Sequence, residues 1–195
     1  AEVLAIAASL DVDPDAAAAS TSGHATEEPE AEGTAEPVDI EGVELTETYA
    51  FPSGVTFSYP ETWTLDESAV SDFMVMLTSK DALAGFLQVY DLPALYGQME
   101  LGLDFIQETY AGTIADTFGF DFDAADFKTT EVAGRELSVL AFEGEQNDMP
   151  TVGYLVIIPY ADGGFGLITT YVVGDVPENY EQNILAIAAS MDVAE

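Results

Sequence analysis

The chain has 195 residues, 48% of them hydrophobic, and sets 37 Asp and Glu against three Lys and Arg, a net charge of −34. With almost no cations to displace phosphate counterions, nucleic acid is excluded as a partner and anionic membrane surfaces are disfavoured. The absence of Cys excludes disulfides, thiol catalysis and thiolate metal ligands.

Residues 1–12 open the chain on Ala, without a basic n-region, and are read as an amphipathic helix and not a signal peptide. Val3, Ile6 and Leu10 share one face at helical spacing and are the candidate partner-binding residues. A helix this short is marginal in water and needs a docking surface. Residues 13–47 form an acidic Pro/Glu/Thr-rich linker with no Lys or Arg, too poor in apolar surface to offset chain entropy. His24, the only His, falls in it and reads as a solvated residue.

Residues 48–195 carry the globular pattern. Val55–Tyr59 alternates as a half-buried strand, and 73–78 is apolar on both faces, as a central strand would be. A third strand covers 86–90. A helix is expected over 101–118, with Leu103, Ile106, Tyr110, Ile114 and Phe118 as its core-facing stripe. Residues 129–142 read as two strands turning at Ala133-Gly134, and 144–148 as a hairpin loop. Strands at 151–158 and 165–173 then flank a turn at 161–164. The last helix is expected to begin at 175–178 and to bury Tyr180, Ile184, Ile187, Ala188 and Met191. Such an order, with short connections and hairpins, defines an α+β fold with helices on a central antiparallel sheet.

One internal match stands out. Ile184–Val193 reads ILAIAASMDV and Val3–Val12 reads VLAIAASLDV, identical at eight of ten positions. The two differences exchange apolar side chains of similar size. The chain therefore carries two versions of one closing segment.

The stretch Tyr59-Pro60-Glu61-Thr62-Trp63, following the strand at 55–59, resembles the opening of PsbP/Mog1-like domains. The later order of helix, β-meander and C-terminal helix is similar to that family over residues 49–193. The resemblance implies an α/β/α sandwich. It implies no catalytic motif, and the family includes photosystem-associated, Ran-binding and bacterial envelope proteins.

Chemistry is sparse. No nucleophile elbow, P-loop or dinucleotide fingerprint occurs, and one His cannot build a triad or a multi-His metal site. So many acids contain carboxylate pairs by chance, so none is assigned a hydrolytic role. Lys80, Lys128 and Arg135 are expected to make surface ion pairs. Asp121, Asp123 and Asp126 form an oxygen-rich cluster of the type that suits Ca²⁺, without the EF-hand Gly and Glu; the acidic loop at 143–148 is a similar candidate. Tyr49, Phe51, Tyr59, Trp63, Tyr90 and Tyr96 are expected to be mostly core, with a groove between sheet and helix as their other role.

The expected function is a non-enzymatic structural unit of an extracellular or cell-surface assembly, such as a tandem-repeat protein or filament subunit. Its partners would be copies of itself or adjacent repeat units, with diffuse cation binding by the acidic surface. No apolar run reaches the roughly 18 residues of a spanning helix, so direct membrane insertion is not expected. The alternative is an envelope-associated binding module holding a small apolar ligand or peptide in a sheet–helix groove.

Overall fold

The computed structural model describes residues 40, 42–81, 84–97, 99, 101–119, 122, 124–146 and 148–193. Val3, Ile6, Leu10 and His24 lie outside these residues.

Among the described residues, ten strands and three α-helices follow one another. Strands β1 (Glu47–Ala50), β2 (Val55–Tyr59), β3 (Trp63–Leu65), β4 (Met74–Ser79) and β5 (Ala84–Asp91) lead to helices α1 (Leu92–Tyr96) and α2 (Leu103–Phe118). Then come β6 (Lys128–Val132), β7 (Arg135–Gln146), β8 (Met149–Pro159), β9 (Phe165–Val173), helix α3 (Tyr180–Ser190) and β10 (Asp192–Val193). Seven strands form one antiparallel sheet in the order β3-β4-β5-β9-β8-β7-β6.

Strand periodicity explains why this sheet is covered on both faces. Along β8, Leu155 and Ile157 point to one side while Val156 and Ile158 point to the other, and all four are fully buried. On β9, Leu167 and Ile168 divide the same way. Helix α2 with α1 covers the first side through Leu92, Ile106, Tyr110 and Ala111. Helix α3 covers the second through Tyr180, Ile184, Leu185, Ile187 and Ala188. The result is the α/β/α sandwich, and β4 is an interior strand, paired with both β3 and β5.

A second, three-stranded sheet, β1-β2-β10, was not anticipated. Its Val55, Phe57 and Tyr59, with Phe51 from the turn between β1 and β2, join the α3-side core. Ile40 and Leu45 pack against the same core.

Several boundaries differ from expectation. The last helix begins at Tyr180, because Asn179 takes a left-handed conformation (φ 61°) and breaks the helix that Pro177 would have opened. It ends at Ser190: Met191 turns to an extended backbone, and Asp192 and Val193 pair with Thr56 and Val55. The closing segment is therefore part helix and part strand. Strands β7 and β8 extend toward each other to Gln146 and Met149, shortening the hairpin loop expected over 144–148. In α2, Ile106 and Tyr110 are buried and Ile114 is half-buried, but Leu103 is 38% exposed. It occupies the first helical position and borders a cavity instead of the core.

Arg135 and Lys80 also depart from simple ion pairing. The Arg135 guanidinium donates to the carbonyls of Ala189 and Pro159, at 3.1 and 2.9 Å, and to that of Met191. It thus satisfies carbonyls at the C-terminal end of α3, where a cation is favoured by the helix dipole. The Lys80 ammonium donates to the Glu61 carbonyl.

Candidate functional site

The site is built where the β8–β9 turn meets α1. Tyr160 N–H donates to the Gly164 carbonyl at 2.8 Å and Gly163 N–H to the Tyr160 carbonyl at 3.1 Å. Asp162 accepts from the Gly164 N–H at 3.0 Å. A Cβ on Gly164 would lie 2.8 Å from Pro93 Cγ, so glycine lets the turn approach α1 this closely. Pro93 starts α1, whose end is marked by Gly97 at φ 67°.

Between turn and helix lies a cavity of about 510 Å³, lined by Leu92, Pro93, Gly97, Met99, Leu101 and 162–165. Met99 is 44% exposed at its wall. A smaller cavity of about 170 Å³ is lined by Leu103, Thr129, Glu136, Ser138, Ile157 and Pro159 among others. Phe165 borders both. The larger volume falls in the range of small-molecule sites, and its exposed lining is divided evenly between polar and apolar surface. Among the described lining residues Asp162 is the one carboxylate, and that group is engaged by the turn.

On the same α2 side lie the buried phenols of Tyr90 and Tyr110 and the half-buried Tyr96. Tyr96 and Tyr110 hydroxyls are 3.5 Å apart, and Tyr90 donates to Gln88 Oε1 at 3.1 Å. Burial, then the neighbouring Tyr96, pushes the Tyr90 phenol up to about 12. Burial and Tyr96 also push Tyr110 well above its usual value. Tyr90 and Tyr110 therefore stay neutral at ordinary pH.

The six aromatics singled out from the sequence do not form one groove. Phe51, Tyr59 and Trp63 lie in the α3-side core with Tyr49 packed against it, whereas Tyr90 and Tyr96 belong to the α2 side. The two sets lie on opposite sides of the seven-stranded sheet, because Tyr49, Phe51 and Tyr59 come from the small sheet and its turn on the α3 side and Tyr96 from α1 on the other. Their reading as mostly core stands: Phe51, Tyr59, Trp63 and Tyr90 are all buried.

Asp126 ends a short 3-10 turn, Ala124–Asp126, and is exposed. Asp121 and Asp123 lie outside the described residues. Among the described residues no group of three or more His, Asp or Glu is placed to hold a metal ion.

One polar feature escaped the sequence reading. Asp91, at the end of β5, is fully buried, and neither carboxylate oxygen has a hydrogen-bond partner among the described residues. The Tyr160 hydroxyl is buried and likewise unpartnered. Asp91 faces Gly166 across the β5–β9 ladder, and a Cβ there would meet the Tyr160 hydroxyl and Met191 Sδ, each at 2.7 Å. Burial first, then the Asp91 charge, pushes the Tyr160 phenol far up, with Arg135 opposing. In sequence, Asp91 before Leu92-Pro93 resembles a helix N-cap, yet its side chain makes no capping bond.

This fold is the PsbP/Mog1-like α/β/α sandwich. The Ran-binding protein Mog1p of Saccharomyces cerevisiae superposes with a TM-score of 0.52 at 9% identity, over 78% of this chain and 97% of that one. A Bacteroides thetaiotaomicron protein gives 0.52 at 8% identity over 78% of this chain, which spans only 50% of that protein's length. LpqN of Mycobacterium tuberculosis, involved in cell envelope biogenesis, gives 0.39 at 12% identity, over 85% of this chain and 91% of its own, too distant for any argument. No family model and no curated protein sequence matches the chain.

Proposed function

We propose that the domain is a non-catalytic binding module of the cell envelope or extracellular space, and that its cavity beside Phe165 takes a small apolar ligand with a neutral or cationic head. The single observation carrying this reading is the cavity of about 510 Å³ walled by Leu92, Met99, Leu101 and Phe165. The apolar side chains supply affinity, and the polar half of the lining supplies orientation. The net charge of −34 sets the head-group preference, because an anionic ligand would approach against the field of the whole surface. Asp162 is tied to its own turn, which supports binding over acid–base chemistry. The test is calorimetric titration of the full chain with 1-decanol, decylammonium and decanoate. Saturable binding of the first two, weakened by Phe165→Ser and Met99→Asp, is expected. Equal binding of decanoate, or binding indifferent to both substitutions, would overturn the reading.

A second reading, a structural unit that associates with copies of itself, is favoured by the near-repeat of the closing segment. Light scattering at low and high salt tests it: salt relieves self-repulsion, so mass should increase with ionic strength. A monomer under all conditions would remove it.

A further inference from the structure

The decapeptide Ile184–Val193 is one complete docking unit. Ile184, Ile187, Ala188 and Met191 have no exposure at all, and Leu185 is 1% exposed. Ser190 Oγ accepts from the Ser58 N–H at 2.8 Å and lies 3.2 Å from the Ser58 carbonyl. Met191 fills the space that Gly166 leaves open. Asp192 and Val193 then pair with Thr56 and Val55 along β2, and Asp192 caps the Val193 N–H at 2.9 Å.

Set against Val3–Val12, every side chain with a specific task has a counterpart. Leu4, Ala5, Ile6, Ala7, Ser9, Asp11 and Val12 repeat Leu185, Ala186, Ile187, Ala188, Ser190, Asp192 and Val193. Leu10 replaces Met191 at nearly equal volume, a swap that packed cores tolerate, and Val3 lacks one methylene of Ile184, a small loss. Arg135 recognises backbone carbonyls, which any sequence offers. The repeat thus keeps Leu185, Ile187, Ala188 and Ser190, side chains that the slot between β2 and the large sheet reads.

We propose that this slot accepts Val3–Val12 of a second copy of the chain in place of the resident Ile184–Val193. The inference rests on the self-association reading and supplies its contact. The two segments compete on nearly equal terms, so tethering decides. The resident is held by a short connection through 174–179, which gives it an effective concentration in the millimolar range. Exchange is therefore minor in dilute solution and grows where chains are crowded. Each exchange releases an equivalent segment, which can enter the slot of the next chain.

The test weakens the resident in the full chain with Ile187→Asp, and separately with the milder Ile187→Ala, each with and without Ile6→Asp. In the chains altered only at 187, the urea midpoint should rise with protein concentration and the mass should exceed that of a monomer. Ile6→Asp should abolish both effects while leaving the otherwise unaltered chain at its normal midpoint. The proposal is overturned if the position-187 variants show no concentration dependence, or if Ile6→Asp changes nothing in them. Rescue that is independent of concentration would also overturn it, because the segment would then come from the same chain. Association of the unaltered chain that survives Ile6→Asp would sink this contact while leaving self-association intact. A monomer at every concentration would remove both.

Discussion

The two faces of the seven-stranded sheet are closed by different means. On the α3 face, an apolar helix lies against the sheet, and the three-stranded sheet with its β1–β2 turn adds Phe51, Phe57 and Tyr59 to the same core. Aromatic contacts run through it, with Tyr49–Phe51 ring centres 5.1 Å apart and Trp63 stacked on Tyr180 at 6.3 Å. Among the described residues the α2 face has no second sheet. Its cover is α2 and the five-residue α1, and Phe73, Leu95, Tyr96, Leu101, Phe122, Phe127 and Phe165 remain only partly buried. Stability is concentrated on the first face, and room for a ligand is left on the second.

The largest expected effect comes from breaking the closed face. Phe57 is 1% exposed, and Phe57→Ala should cost about 3–5 kcal/mol in urea unfolding. Phe165→Ala on the open face removes a half-buried ring and should cost roughly half as much. Equal losses would erase the distinction. Next, Arg135→Met removes donors from three carbonyls and should cost about 2 kcal/mol, with faster amide exchange at Val193 before global unfolding. Smaller still, Met99→Ser and Leu103→Ser should change stability by no more than about 0.5 kcal/mol, since both side chains are already exposed. A larger loss from either would mean that the cavity wall carries the fold.

Alkaline titration compares the faces without substitution. Tyr90 on the α2 side and Tyr154 on the α3 side are both pushed up to about 12, each mainly by burial; Glu181 and Glu143 add to Tyr154. A folded-state value above the unfolded one near 10 means the folded chain holds the proton more tightly. That contribution is complete below pH 10 and is lost as pH rises toward 12. Phenolate absorbance should therefore rise in two stages, the second accompanied by unfolding. Tyr90→Phe should shrink the second stage.

Much of this was legible in the residues themselves. The alternation at Val55–Tyr59, the two-sided apolar run of β8 and the Ala133-Gly134 turn each declared their element through a local period or a local backbone demand. The second sheet was hidden because β10 is two residues long, and nothing local separates Asp192-Val193 from the end of a helix. It forms only because β2 offers a free edge 136 residues earlier in the chain. The cavity was hidden for a related reason. Leu103 fits a helical stripe, and its exposure follows from where the β8–β9 turn ends, a tertiary fact. Asp91 was hidden because nothing local marks an acid at the end of a strand as buried.

The small sheet has a mechanical consequence. β1 and β10 both run antiparallel to β2, one on each side, with Glu47 opposite Tyr59 and Val193 opposite Val55. The polypeptide enters at one end of β2 and leaves at the other. Tension between entry and exit therefore slides the three strands along one another, loading their hydrogen bonds together instead of peeling them singly. A domain held by its ends should resist extension far better than its two-residue last strand suggests, and pulling it from an internal loop should open it at lower force.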